Sequence, residues 1–152
     1  MPTKLTHILF LCTGNTCRSQ MACAIANDIA EKQGLPLVFI SRGIRAKLGQ
    51  ETTPEALEVL SRVGINWQGK SAPLTQDDLA WSDLVWCMTQ EHLDYAAELS
   101  ACLASNLKPQ ITLLEDEKDI TDPLDGGIVA YEDLYESLGH LLPKRLVGLC
   151  VP

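Results

Sequence analysis

Positive charge, long apolar runs and breaks in composition are all scarce in this chain of 152 residues. Lys and Arg number 12 against 20 Asp and Glu, a formal charge of −8. No broad basic face is then available to neutralise nucleic-acid phosphates, and an RNA or DNA partner is not expected. Any anion handled here has to be held locally. The early apolar stretch His7 to Cys12 is preceded by only one basic residue, Lys4. It is too short for a signal-peptide core or a membrane span, so the expectation is a soluble, cytoplasmic protein with no membrane partner. No composition break marks a linker and no repeat occurs; residues 1–152 therefore read as a single domain. Apolar residues at 46% and charged residues at 21% are globular values, which excludes disorder and coiled coil.

Strand-like and helix-like segments alternate. Ile8 to Leu11 is short and wholly apolar, the pattern of a strand buried on both faces of a parallel sheet. A helix is predicted from about Ser19, with Met21, Ile25 and Ile29 at four-residue spacing, and Gly34 stops it. Leu37 to Ile40 reads as the second strand. A second helix starts at Thr52 or Thr53, with Pro54 in its first turn and Glu55 completing a capping-box pattern; Ala56, Leu60 and Val63 form its apolar face and Gly64 ends it. Next come a short helix from Thr75, a strand over Leu84 to Met88, a helix over Gln90 to Ala104 and a fourth strand over Ile111 to Leu114. A polar stretch, Glu115 to Gly127, leads to a last helix carrying Leu134, Leu138 and Leu141, which Pro143 is expected to end or kink. Strands separated by helices imply crossover units, hence an α/β fold: a four-stranded parallel sheet with helices on both faces.

In such sheets ligands bind beyond the carboxyl ends of the strands. The loop after the first strand reads Cys12-Thr13-Gly14-Asn15-Thr16-Cys17-Arg18-Ser19. It joins a buried strand to a helix, so its N–H groups and the helix N-terminus favour an oxyanion. Gly14 permits a tight turn, Asn15 tolerates a left-handed backbone, and Arg18 offers a planar fork matched to two phosphate oxygens. Ser19 is placed to cap the helix. The same surroundings favour the thiolate of Cys12, with the hydroxyl of Ser19 or Thr16 within reach of the sulfur. A nucleophile at the base of a phosphate cradle is the reading. It is not the nucleotide-binding Gly-x4-Gly-Lys loop, which needs a lysine and a second glycine.

At these residues the chain resembles the low-molecular-weight protein tyrosine phosphatases. The resemblance extends through Ser41-Arg42-Gly43, Ser82 to Val85 leading into Cys87-Met88-Thr89, and the late Asp122-Pro123. It implies Cys12 as nucleophile, Arg18 as phosphate ligand, Asn15, Ser19 and Ser41 as loop supports and Asp122 as general acid. The acidic loop by itself does not choose among Asp116, Asp119, Asp122 and Asp125; the Asp-Pro match does. A carboxylic acid there would protonate the leaving atom and then, as a base, activate water against the phosphocysteine. No metal or other cofactor is expected, since Arg18 and the loop amides carry the charge stabilisation. The substrate implied is a phosphorylated protein or peptide.

The chain departs from the family pattern at several positions. Leu124 follows Asp-Pro where members commonly carry an aromatic pocket wall, Gln20 and Cys23 replace Pro and Glu, and Thr16 replaces a bulkier aliphatic residue. The Cys-Thr-Gly-Asn-Thr-Cys wording is similar to the protein arginine phosphatase branch. Phosphotyrosine is the leading substrate and phosphoarginine the alternative. A thioredoxin-coupled arsenate reductase shares the loop wording and Gln20, but needs a further close pair of cysteines, which Cys87 and Cys102 do not supply. A non-catalytic phosphate-binding module needs neither Cys12 nor Asp122. Zinc on Cys12, Cys17 and Cys23 would place Arg18 against the cation, with no His in spacing. Arg45, Lys47 and Lys70 lie in loops that could reach the rim, and Trp67 is a candidate replacement wall. Cys17 shares the loop with Cys12 and is the expected redox partner, able to form a reversible bond under peroxide.

Overall fold

The computed structural model describes residues 4–150. It is a single α/β domain whose four strands, β1 (Thr6–Cys12), β2 (Leu37–Gly43), β3 (Leu84–Cys87) and β4 (Gln110–Leu113), lie all parallel in the order β2-β1-β3-β4. β1 is central, which is why Ile8 to Leu11 are apolar without alternation: both faces are covered. Ile8, Phe10 and Cys12 face the core beneath α1 (Arg18–Gln33), α2 (Pro54–Arg62) and α5 (Gly127–Cys150). Leu9 and Leu11 face the opposite core, under α3 (Gln76–Trp81) and α4 (Gln90–Ser100). Phe10 stacks on Phe39 and meets Trp86 edge-on, each at 5.8 Å between ring centres.

Helix α1 buries Met21, Ala22, Ile25 and Ala26, and stops at Gly34, whose φ of 63° takes the left-handed conformation that glycine adopts without strain. Three expectations for α2 and α4 need correction. The Thr52–Glu55 capping box does not form: Thr53 is the N-cap of α2 without a side-chain cap bond, and Thr52 instead donates its hydroxyl to the Gly69 carbonyl at 2.9 Å. The buried face of α2 is Ala56, Val59 and Leu60, while Val63 has left the helix axis and is exposed. Helix α4 ends at Ser100, four residues short of the predicted end, and its start is a capping box of Thr89 with His92.

Pro143 neither ends nor breaks α5, which runs on to Cys150. The missing N–H releases only the half-buried Gly139 carbonyl. Against that loss, Leu138, Leu142 and Leu146 remain fully buried at four-residue spacing, and Leu142 rather than Leu141 carries the stripe. Arg145, beyond the proline, donates to the Leu114 carbonyl at 3.0 Å and lies 4.7 Å over the Trp86 ring, tying the end of α5 to the end of β4. The carboxyl ends of β1, β2, β3 and β4 therefore feed four loops along one edge of a rigid sheet.

Candidate active site

The first of those loops, residues 12–19, turns at Asn15, whose φ of 58° is left-handed although the residue carries a side chain. Four bonds hold it there. Its Nδ2 donates to Ser19 Oγ at 2.7 Å, its Oδ1 accepts from the Ala72 N–H at 2.9 Å, its carbonyl accepts from Gln20 Nε2 at 3.0 Å, and its own N–H points at Cys12 Sγ at 3.3 Å. Gly14 does not make the turn: its φ is not positive and a Cβ there would meet nothing closer than 3.8 Å. The glycine that sterics require is Gly43 at the end of β2, where a Cβ would lie 2.4 Å from the Thr13 carbonyl. Closeness there lets the N–H groups of Ile44 and Arg45 bond the Cys12 and Thr13 carbonyls at 2.9 and 3.0 Å.

Cys12 is buried at the end of β1, with Ser19 Oγ 2.8 Å from its sulfur. Ser19 does not cap α1; it lies inside the first turn, Cys17 is the N-cap, and no acidic side chain occupies that turn. The helix N-terminus thus presents its positive end to the loop without a competing carboxylate. Arg18, 5% exposed, anchors through Nη1 on the Ile120 carbonyl at 3.0 Å. Its Nη2 reaches Thr13 Oγ1 at 3.3 Å and Asp122 Oδ2 at 3.5 Å, while its buried Nε has no partner among the described residues. The Nε–Nη2 edge of the guanidinium is the two-pronged donor set an oxyanion uses.

Asp122 sits in the loop after β4, 42% exposed, with Oδ1 accepting from the Leu124 N–H at 3.0 Å and from Cys17 Sγ at 3.6 Å. Asp119 and Ile120 lock that loop to the start of α4: the Gln90 N–H bonds Asp119 Oδ1 at 2.9 Å and the Ile120 N–H bonds the Met88 carbonyl at 2.7 Å. Asp116 instead faces Arg145 at 3.6 Å, and Asp125 makes a left-handed turn at the base of α5. Of the four acidic residues, only Asp122 meets Arg18 and Cys17. Burial, followed by the charges of Cys12 and Asp122, pushes the Cys17 thiol up to about 12. Burial likewise raises Cys23 and Cys87 to about 12.

The remaining predicted residues fall as follows. Thr16 is half-buried, its carbonyl accepting from the Thr53 N–H at 2.9 Å, and it borders an open groove with Glu51 and Leu57. Leu124 is 57% exposed. Ser41 is buried in β2 opposite Phe10, two residues below the level of Cys12. Trp67 donates to Gln20 Oε1 at 2.8 Å and packs behind the loop, so Gln20 serves as a bridge from Asn15 to Trp67. Arg45 pairs with Glu91 at 2.8 Å on the surface. Cys87 is buried in β3 and Cys102 is exposed beyond α4. Among the described residues, no group of three or more His, Cys, Asp and Glu side chains is arranged to hold a metal ion, and no helix is long and apolar enough to cross a membrane.

Sequence reasoning missed three contributors. The Ala72 N–H and the Ile120 carbonyl act through the backbone and have no side-chain signature. His92 lies 2.8 Å from Thr13 Oγ1 through Nε2, and burial with the Arg18 charge depresses its pKa to about 4. The Thr89-x-x-His92 spacing resembles a capping box and was the only signal available.

The sequence pattern of the low molecular weight phosphotyrosine protein phosphatases matches residues 7–148, and the chain belongs to that family. It is similar to the protein-arginine-phosphatase of Bacillus subtilis strain 168, 34% identical over 140 residues that cover 89% of this chain and 91% of the relative. It is 31% identical over 137 residues to the low molecular weight protein-tyrosine-phosphatase PtpB of Staphylococcus epidermidis, covering 90% and 94%. The crystal structure of a YwlE mutant from Bacillus subtilis superposes with a TM-score of 0.89 at 32% identity, over 96% of this chain and 99% of that one. A low molecular weight protein tyrosine phosphatase from T. tengcongensis gives 0.86 at 30%, over 94% and 99%.

Proposed function

We propose that this protein is a metal-independent protein phosphatase that hydrolyses phosphotyrosine through a phosphocysteine intermediate, in the cytoplasm. One observation carries the reading: Cys12 Sγ lies in a turn that also brings the unpartnered Arg18 Nε, and Arg18 Nη2 touches Asp122. A thiolate at the start of a helix, a two-pronged cation and a carboxyl group are the three parts that phosphoryl transfer to sulfur needs. Arg18 and the loop N–H groups, including that of Asn15, hold the phosphoryl oxygens. Cys12 Sγ attacks phosphorus and the bond to the leaving oxygen breaks; Asp122 gives that oxygen its proton. Asp122 then takes a proton from water as water attacks the phosphocysteine, releasing phosphate and the Cys12 thiolate. Ser19 Oγ, 2.8 Å from the sulfur, stabilises the thiolate as it departs.

A second reading, phosphoarginine, is favoured by two side chains. Thr16 places a hydroxyl on the rim where an N-linked leaving group or water can be oriented, and the exposed Leu124 offers no ring to stack on a phenyl group. Hydrolysis of p-nitrophenyl phosphate that disappears in Cys12→Ser tests the phosphatase reading; its absence in the parent protein refutes it. Rates on phosphotyrosine and phosphoarginine peptides, measured side by side, choose the substrate. Thr16→Ile and Leu124→Tyr should shift the ratio toward phosphotyrosine, and a ratio unmoved by both would refute the account of selectivity. Thioredoxin-coupled arsenate reduction without phosphopeptide hydrolysis would also overturn it.

A further inference from the structure

His92 is a buried titratable residue that the mechanism above does not use. It is 1% exposed, in the first turn of α4, with each ring nitrogen engaged. Nδ1 faces the Thr89 backbone N–H at 3.1 Å. A backbone N–H only donates, so Nδ1 has to accept and carries no proton. In the neutral ring the proton is then on Nε2, which donates to Thr13 Oγ1 at 2.8 Å. Arg18 Nη2 donates to the same oxygen at 3.3 Å. With both lone pairs of Thr13 Oγ1 used, its own proton has no protein partner among the described residues, and it is free to point at an oxyanion on Arg18.

We infer that His92 is a positioning residue of the phosphate site: by donating from Nε2 it fixes Thr13 as a hydrogen-bond donor to the bound phosphoryl group and holds it against Arg18. The inference rests on the phosphatase reading and deepens it. Protonation of His92 would place a second N–H against that of Thr89 and break the arrangement. Charged groups facing the ring come from several elements. Arg18 of α1 and Arg45 after β2 oppose the cation; Glu91 of α4 and Asp119 after β4 favour it. Burial opposes the cation more than any of these charges, so the ring stays neutral at physiological pH.

Two substitutions separate the ring's two contacts. His92→Asn keeps an acceptor near the Nδ1 position, and so the helix cap, but loses the donor to Thr13; His92→Gln restores a donor near Nε2, and its amide oxygen is a capping-box acceptor for the Thr89 N–H. Calorimetric titration with inorganic phosphate should show Kd raised on the order of tenfold in His92→Asn and largely recovered in His92→Gln, while the cap is kept in both. Nitrogen-15 NMR of the intact protein should show the neutral ring protonated on Nε2 at pH 7. Equal phosphate affinity in the parent and the Asn variant, no recovery in the Gln variant, no phosphate binding by the parent, or a ring that is cationic or protonated on Nδ1 would each overturn the inference. A parent that binds phosphate and shows the expected ring but does not hydrolyse p-nitrophenyl phosphate would instead refute the phosphatase reading alone.

Discussion

Replacing Asn15 tests how the phosphate loop stores its conformation. Asn15→Ala removes the bonds to Ser19 Oγ and to the Ala72 N–H and leaves a methyl-bearing residue at a φ of 58°. Two hydrogen bonds are worth about 2 kcal/mol together, and a left-handed conformation costs an alanine roughly 1–2 kcal/mol more. The expected loss is about 3–4 kcal/mol. Asn15→Gly loses the same bonds without that strain, but gains roughly 0.5–1 kcal/mol of unfolded-chain entropy, so its loss should be about 2–3 kcal/mol. Urea unfolding with unchanged m-values reads both, and p-nitrophenyl phosphate turnover reads the loop. The glycine variant should also keep more activity, because it can still turn the residue-15 N–H toward Cys12 Sγ. A glycine variant less stable than the alanine variant, or an alanine variant within 1 kcal/mol of the parent by the same ~1 kcal/mol-per-bond reckoning, would refute the reasoning.

Asp122→Asn should lower kcat roughly 10²–10⁴-fold on substrates with poor leaving groups and far less on p-nitrophenyl phosphate, whose phenolate leaves without help; an equal loss on both would remove Asp122 from the acid role. Cys17→Ser should be irreversibly inactivated by peroxide faster than the parent. The expected route in the parent is attack of Cys17 sulfur on the sulfenic sulfur of Cys12, the thiol hydrogen leaving with the hydroxyl as water, to form a disulfide that dithiothreitol reverses. Equal recovery of the two proteins would dismiss that protection. The stability of the parent should fall as pH drops from His92's ordinary 6.5 toward about 4. The folded state resists protonation that the unfolded chain accepts, so the contribution is complete above 6.5 and about 3 kcal/mol is lost by pH 4. Urea titrations across that range should show the stability difference between parent and His92→Gln shifting toward the variant as pH falls, and parallel curves would contradict the assignment.

The sheet was legible because Ile8 to Cys12 of β1 are buried and their composition says so, and α1 because its apolar spacing and Gly34 agree. The errors lie where two local signals compete and packing decides. Val59 lies three residues from Ala56 and Val63 three from Leu60, and only the end of the helix at Arg62 sends Val63 to solvent. Pro143 is a helix breaker by its own chemistry, yet three buried leucines at four-residue spacing outweigh one lost hydrogen bond.

The candidate site divides along the same physical line. Cys12, Asn15, Arg18 and Ser19 fall within eight residues, and each contributes a side chain with a distinctive chemistry, so their sequence advertises an anion cradle. What aims them is supplied from far away and mostly by backbone groups: the Ala72 N–H on Asn15, the Ile120 carbonyl on Arg18, the Gly43 close approach beneath Thr13. Any residue has an N–H and a carbonyl, so these contributions leave no trace in a single sequence. On the proposed reading they are also how a chain of net charge −8 holds an anion. Fixed dipoles and one buried guanidinium, locked before the ligand arrives, act over a few ångströms in a poorly solvated turn, where the diffuse surface charge is screened by water and salt.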